Sequence, residues 1–207
     1  MELTEADRLL DAGHLDRETG VERLASGQLL VAALTPMPRA TGAMLDHWFE
    51  TLTSTERYKR WHPIDHVWMD WDGPPGAVGS SHLVHEYIGG ELQKLRIHFR
   101  EPGDVLDVSR FAAAEIVFCR YLRVGPLASN DVWTGHGIHL ARKTCYGLEL
   151  RTRFWLGDLE PEPLAREALE AVLPESTGFA LMKHCSEEMS FLADLLPELY
   201  RAETATS

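Results

Sequence analysis

The chain has 207 residues, a length that suits one domain with a sizeable core, and its 44% hydrophobic and 25% charged residues are ordinary for a globular protein. The formal net charge is −12 with no block of Lys or Arg, which argues against nucleic acid or an anionic membrane as a partner. Cys119, Cys145 and Cys185 are too few and too scattered for a disulfide framework or a Cys-rich zinc site. The acidic start MELTEADRLLDAG is no secretory signal, and no apolar run approaches the roughly 20 residues that span a bilayer, so a reduced, cytoplasmic protein is expected.

LTEADRLLDAGHL reads as a short amphipathic helix with Thr4 as a candidate cap and Gly13 near its end. GQLLVAALTPMP follows as a strand stopped by Pro36 and Pro38. This helix and strand, residues 1–40, are expected to be continuous with residues 41–207 in one domain. TGAMLDHWFETL is a second helix, apolar at Met44, Leu45, Trp48, Phe49 and Leu52. TSTERYKRWHPIDH is read as a polar-aromatic connection in which Pro63 turns the chain out of helical geometry. The pattern then changes to strands. HVWMDW and SSHLVHEYI flank the turn DGPPGAVG and predict an antiparallel hairpin. Further strands are expected at LQKLRIHFR, VLDVS, AEIVFCRYLRVG, DVWTGHGIHLAR and CYGLELRTRFWLG, the last two joined around RKT. EPEPLAREALEAVL is a short helix or lid, and a long helix runs from about Thr177 to a frayed ETATS tail. Helices, then antiparallel strands, then one long helix make an α+β architecture in which a curved sheet grips the helix around a cavity.

Polar residues interrupt this pattern where a core is expected. In FALMKHCSEEMSFLADLLPELY, His184 and Glu188 lie four residues apart on one helical face, beside the stripe of Leu181, Cys185, Leu192, Leu195 and Leu199. Alone, such a pair is ordinarily hydrogen-bonded or solvated. Burying an unpaired carboxylate is costly, so a buried Glu188 needs a metal or another cation. Glu187 points elsewhere. A hairpin turn centred near Gly76 puts His66 opposite Glu86 on one face, with Cβ atoms about 4.5–5.5 Å apart, and a slip of one residue would undo it. Two imidazoles with two carboxylates suit Zn²⁺, and other divalent first-row metals also fit. His82 shares the Glu86 face and His85 the other, while His136 and His139 fall on opposite faces of their strand. These four, with His47 and His98, are read as packing or exposure. His62 is harder to dismiss, because RWHPIDH brings two histidines and an Asp together. No Gly-x-Ser-x-Gly elbow or Gly-rich phosphate loop occurs, and Cys185 reads as inert core rather than a nucleophile.

YKRWHPIDHVWMDWDG, HEYIGG and HCSEEMSFLADLLPELY, in that order between about His47 and Tyr200, resemble the 2,4-diacetylphloroglucinol hydrolase and phloretin hydrolase family. The resemblance implies a helix-grip (Bet v 1/START-like) fold and zinc-dependent cleavage of the carbon–carbon bond between an acyl group and a polyphenol ring. It implies Glu86, His184 and Glu188 as zinc ligands. For the fourth, HPIDH offers both His62 and His66; His66 is preferred because it starts the strand opposite Glu86. The family's tyrosines and polar residue around the substrate hydroxyls are matched by Tyr58 and Asp65, with Tyr146 as a later partner. His62, Tyr58, Asp65 and Tyr146 are, in that order, candidates for the acid that protonates the ring carbon. The expected partner is a small aromatic ketone, and a homodimer is left open. The tryptophans, Trp61, Trp68 and Trp71 among them, are read as mostly core. Two rivals use the same fold without this chemistry: a carrier of a hydrophobic ligand, which has no use for two buried carboxylates, and a cyclase of aromatic polyketides.

Overall fold

The computed structural model describes residues 1–205. Its strands are β1 (Gly20–Arg23), β2 (Leu29–Met37), β3 (His66–Asp72), β4 (Ser81–Ile88), β5 (Glu91–Arg100), β6 (Ile116–Pro126), β7 (Trp133–Thr144) and β8 (Gly147–Glu160). They form one antiparallel sheet in the order β1-β2-β8-β7-β6-β5-β4-β3. The chain crosses from β2 to the far edge at β3 through α1 (Gly42–Thr51) and α2 (Thr55–Trp61). The short α3 (Arg166–Val172) follows β8, and α4 (Glu175–Thr204) closes the chain as a 30-residue rod about 45 Å long. α4 touches β1, β2 and β4 as well as α1 and α2, so the sheet curves around it. The fold is α+β and of the helix-grip, Bet v 1-like type. No helix of the described residues is long and apolar enough to cross a membrane.

Alternation along the strands divides their side chains between two cores. On β8, Leu148, Leu150 and Phe154 join Met37, Trp48, Leu192 and Leu196 between the sheet and α4. Trp155 points the other way, into a cluster with Leu9, Ile138 and Leu140 beneath the N-terminal residues. The concave face therefore carries α4, and the convex face is covered by the start of the chain.

Several local expectations change. The N-terminal helix, Leu3–Leu10, is 3₁₀, and Glu2 caps it in a reciprocal arrangement with Glu5, leaving Thr4 inside it. TSTERYKRWHPIDH is no mere connection: Ser54 accepts a hydrogen bond from Arg57 N at 3.2 Å, and α2 then runs to Trp61, capped by His62, the extended residue before Pro63. VLDVS is not a strand: it follows one 3₁₀ turn, Pro102–Asp104, and leads into another, Val108–Arg110, which Asp107 caps. Arg142, Lys143 and Thr144 belong to β7, and the β7–β8 turn is made by Cys145 and Tyr146. β1 was not anticipated; its GVER is half-buried throughout and carries no alternation. Helix continues into the ETATS segment as far as Thr204, and its last two residues lie outside those described.

Candidate metal centre and its cavity

Tyr58 and Trp61, three apart on α2, are both buried against the β3–β4 hairpin and α4. The Tyr58 ring stacks on that of His66 with centroids 3.7 Å apart, and His66 Nδ1 donates to the Tyr58 carbonyl at 3.0 Å. A carbonyl only accepts, so the proton sits on Nδ1 and Nε2 carries the lone pair. That Nε2 is buried without a hydrogen-bond partner. His66 lies opposite Glu86, but by a route that turn symmetry does not supply. Trp68 to Asp72 pair one residue out of the register centred on Gly76, and a bulge between His66 and Trp68 restores the His66–Glu86 pairing.

The second half of the cluster comes from α4, where His184 and Glu188 are buried one turn apart. His66 Nε2 is 3.5 Å from Glu188 Oε2 and 4.0 Å from Glu86 Oε2, and His184 Nε2 is 4.0 Å from Glu86 Oε2. Donors about 2.0–2.2 Å from a tetrahedral metal stand about 3.3–3.6 Å apart, so small rotations let these four groups close on a divalent ion. The outer nitrogens are already held. His184 Nδ1 donates to Asp65 Oδ2 at 3.1 Å, which turns Nε2 toward Glu86. Tyr58 Oη donates to Glu86 Oε2 at 2.5 Å, and Trp61 Nε1 donates to the Glu188 carbonyl at 2.9 Å. An orphaned imidazole nitrogen, a second one oriented by a carboxylate, and two carboxylates fit Zn²⁺ or a similar ion.

Within the cluster, carboxylates and imidazoles offset one another's burial. Burial pushes the Glu188 carboxyl up, yet the imidazoles of His66 and His184 close to it hold it below the usual range. Burial pulls His184 down, and Glu188, Glu86 and Asp65 overcome it and raise it. Burial, reinforced by Glu86, keeps the Tyr58 hydroxyl far above its ordinary pKa and hence a donor.

Tyr58, Glu86, His184 and Glu188 line a cavity of about 630 Å³ between the sheet and α4. His82 and His139 line it too, beside Phe99, Leu122 and Phe154. Burial depresses His82 to about 3 and His139 to about 4, so both are neutral. His82 stacks on Trp71 at 4.6 Å with its Nε2 unpartnered, and His139 Nδ1 pairs with the Thr152 hydroxyl at 2.9 Å. The sequence reading left both as ordinary histidines. Strand alternation had put His82 on the Glu86 face, which was the available signal; nothing local marked His139.

The remaining candidates are placed differently. His62 and Asp65 are not in the cavity wall. The His62 ring stacks on that of His184 at 5.3 Å, its Nδ1 accepts from Asp65 N at 3.1 Å, and Phe191 packs edge-on against it. Both residues thus support His184 instead of facing a substrate ring. Tyr146 is not brought to the site: it sits in the two-residue β7–β8 turn, 46% exposed, with its hydroxyl on Glu149. Trp61 lines the cavity, whereas Trp48 and Trp155 are core. Cys185 is buried and its thiol is pushed up by that burial, so it stays protonated.

Residues 1–201 match the family model described as the DAPG hydrolase PhiG domain. The chain is similar to phloretin hydrolase of Eubacterium ramulus, with 29% identity over 198 residues that cover 88% of this chain and 71% of that protein. It is similar to a 2,4-diacetylphloroglucinol hydrolase of a Pseudomonas species, with 24% identity over 223 residues covering 96% of this chain and 76% of that protein. Two solved structures share its fold at low identity. Protein Ms6760 from Mycobacterium smegmatis has a TM-score of 0.51 and 14% identity, covering 86% of this chain and 96% of that one. Protein NE0264 from Nitrosomonas europaea has a TM-score of 0.51 and 12% identity, covering 86% and 99%. With its helix-grip fold and a family model that spans nearly all of it, the chain belongs to the DAPG (2,4-diacetylphloroglucinol) hydrolase PhiG domain family of hydrolases.

Proposed function

We propose that the chain is a zinc-dependent hydrolase that cleaves the carbon–carbon bond between an acyl group and a polyphenol ring. The observation that carries this reading is the convergence of His66 Nε2, His184 Nε2 and the Glu86 and Glu188 carboxylates at the edge of an apolar cavity. The relatives' names supply the substrate class, since phloretin and diacetylphloroglucinol are both acylated polyphenols. No Lys or Arg lines the cavity among the described residues, which suits an uncharged ketone.

Bound zinc supplies a Lewis acid for the acyl carbonyl and acidifies a water. The protein's own groups hold the rest of the reaction together. Overall, water is added across the carbon–carbon bond: the acyl carbon gains the hydroxyl, and the ring carbon keeps the bonding pair and takes a proton. A polyphenol ring tolerates this because its hydroxyl and keto forms interconvert. Tyr58 and the neutral His82 and His139, at the aromatic end of the cavity, are donors and acceptors that can hold the ring hydroxyls and pass that proton. Phe99, Leu122 and Phe154 exclude water around the ring. Asp65 and Tyr58 keep His184 and Glu86 aimed at a common point, so the cluster keeps its shape through turnover.

Elemental analysis of the purified chain tests the reading, with about one divalent ion per chain expected. A chain that stays metal-free after incubation with zinc contradicts it. A loaded chain is then given acylphloroglucinols, and release of the carboxylic acid with the free polyphenol is the expected result. Binding without release would favour a carrier, and ring closure without acid would favour a cyclase.

A further inference from the structure

Resting on the function proposed above for where the carbonyl sits, we infer that the acyl group is a long, uncharged, apolar arm rather than an acetyl, and that this arm lies beneath α3 at the outer end of the cavity. The cavity has two chemically different ends. One holds His82, His139 and Tyr58 with aromatic walls, and matches a ring bearing several hydroxyls. The other is predominantly aliphatic, walled by Ile88, Leu156, Leu159, Leu169, Val172 and Leu173, with Glu91, Gln93, Thr134 and Ser176 as uncharged or acidic polar members of the lining. Thr177, Ala180, Leu181, His184 and Glu188 mark its length along α4. At a rise of 1.5 Å per residue, Thr177 stands about 10 Å from His184 along the helix axis.

That outer end is held together by specific contacts. β8 passes α3 at Gly157, whose φ is +93°, and a Cβ there would stand 2.9–3.0 Å from Leu169 and Leu173. Glycine therefore lets α3 close down on the sheet. Leu169 is buried, and an Arg23 guanidinium N–H donates to the Leu173 carbonyl at 2.6 Å, which ties down the end of α3. An extended chain advances about 1.2 Å per bond, so an acetyl leaves most of the 10 Å unfilled and an arm of about six to eight bonds occupies it. The whole volume of about 630 Å³ falls in the range of about 300–1,000 Å³ that encloses a drug-sized ligand. With Glu91 on the wall and no lining cation among the described residues, a carboxylate on the arm is disfavoured.

The test is a set of phloroglucinols that share one ring and differ in the arm: acetyl, butanoyl, hexanoyl, 3-phenylpropanoyl, and a chain of hexanoyl length ending in carboxylate. kcat/KM is measured on the metal-loaded protein. Each buried methylene contributes about three- to fourfold, so hexanoyl should exceed acetyl by about a hundredfold. The phenylpropanoyl arm should share that gain, and its rank against hexanoyl tells whether the arm is aryl or alkyl. The carboxylate-tipped arm should lose the gain. Thr177 is exposed, and Thr177→Trp narrows the outer end without disturbing the core. It should cut the hexanoyl-to-acetyl ratio about tenfold or more, which a merely structural role would not do. The matching alkylphloroglucinols lack the carbonyl and cannot be cleaved, and their calorimetric Kd should fall with arm length in the same way. Acetyl equal to or better than hexanoyl, or a ratio untouched by Thr177→Trp, overturns the arm site and leaves the hydrolase reading standing. Acid release from no member, with Kd still falling along the alkyl series, overturns the hydrolase reading and keeps the arm site.

Discussion

On the convex face of the sheet, Arg151 and Arg153 share the carboxylate of Glu18, at 2.6 Å and 2.8 Å, and direct further N–H groups to the carbonyls of Leu9, Gly13 and Arg17. On the concave face, His66 and His82 each keep a buried Nε2 with no partner, while Glu86 and Glu188 stand among imidazoles. Both faces bury ionisable groups, and on β8 the alternation turns Arg151 and Arg153 outward and leaves Thr152, the partner of His139, facing in. The convex cluster closes on itself and fastens the start of the chain to the sheet. The concave cluster is left open toward a cavity. An unsatisfied buried polar atom costs about 1–3 kcal/mol, so such openness in a folded protein points to a ligand that completes it.

The comparison breaks most sharply at the concave cluster. Glu188→Ala or His184→Ala should reduce metal affinity by about a hundredfold or more and abolish turnover, read by elemental analysis after dialysis and by acid release. Retention of stoichiometric metal in both variants would place the ion elsewhere. Arg151→Met probes the convex cluster. It strips Glu18 of one partner and leaves the Gly13 carbonyl without its guanidinium, while Leu9 keeps Arg142, so unfolding by urea should show a loss of about 3–5 kcal/mol, with metal content unchanged. If metal is lost while the urea midpoint stays, the two clusters have exchanged roles. Asp65→Asn is a smaller change on the concave side: His184 loses a charged partner, and zinc affinity should fall about 10–100-fold with the fold intact.

The smallest effect belongs to the end of α4. The hydrogen bond from Arg57 holds the Glu203 carboxyl down to about 2, with His47 adding to it. A carboxylate whose folded pKa lies below its unfolded value of 4.5 stabilises the fold above that value, and the contribution is lost as pH falls from about 4.5 toward 2. Solvent reaches this pair, so Glu203→Gln should cost less than about 1 kcal/mol at pH 6, and the difference from wild type should shrink toward zero near pH 2. A difference that grows on acidification would reverse the sign of the coupling.

Much of this was legible in the chain, for reasons that differ from residue to residue. His184 and Glu188 share a face because a helix repeats every 3.6 residues, whatever surrounds it. Apart from β1, the strands of the sheet were visible in the sequence pattern, and the long last helix through its apolar stripe. VLDVS failed because five residues of mixed polarity satisfy more than one period, and the turns there are held by Asp107. α2 was hidden by its aromatic and charged residues, although Ser54 marked its start. Tyr146 was grouped with the site by the family resemblance alone, on a segment that read as an alternating strand. Alternation names a face, however, and is silent on which end of the strand reaches the cavity.

Asp65 and His184 are 119 residues apart, and their hydrogen bond exists only because α4 docks against the turn after α2. The same docking makes His62 a support for His184 rather than a group in the cavity. A bulge at one residue set whether His66 met Glu86. By itself, then, the sequence determined the kinds of element, the face each polar residue takes on its own element, and the donor set of two imidazoles and two carboxylates. Those follow from backbone periodicity and side-chain chemistry, which are local. Which nitrogens are left free, which histidines reach the cavity, and how far that cavity runs beyond the cluster were decided by tertiary packing. Each depends on distances between segments that no local period encodes.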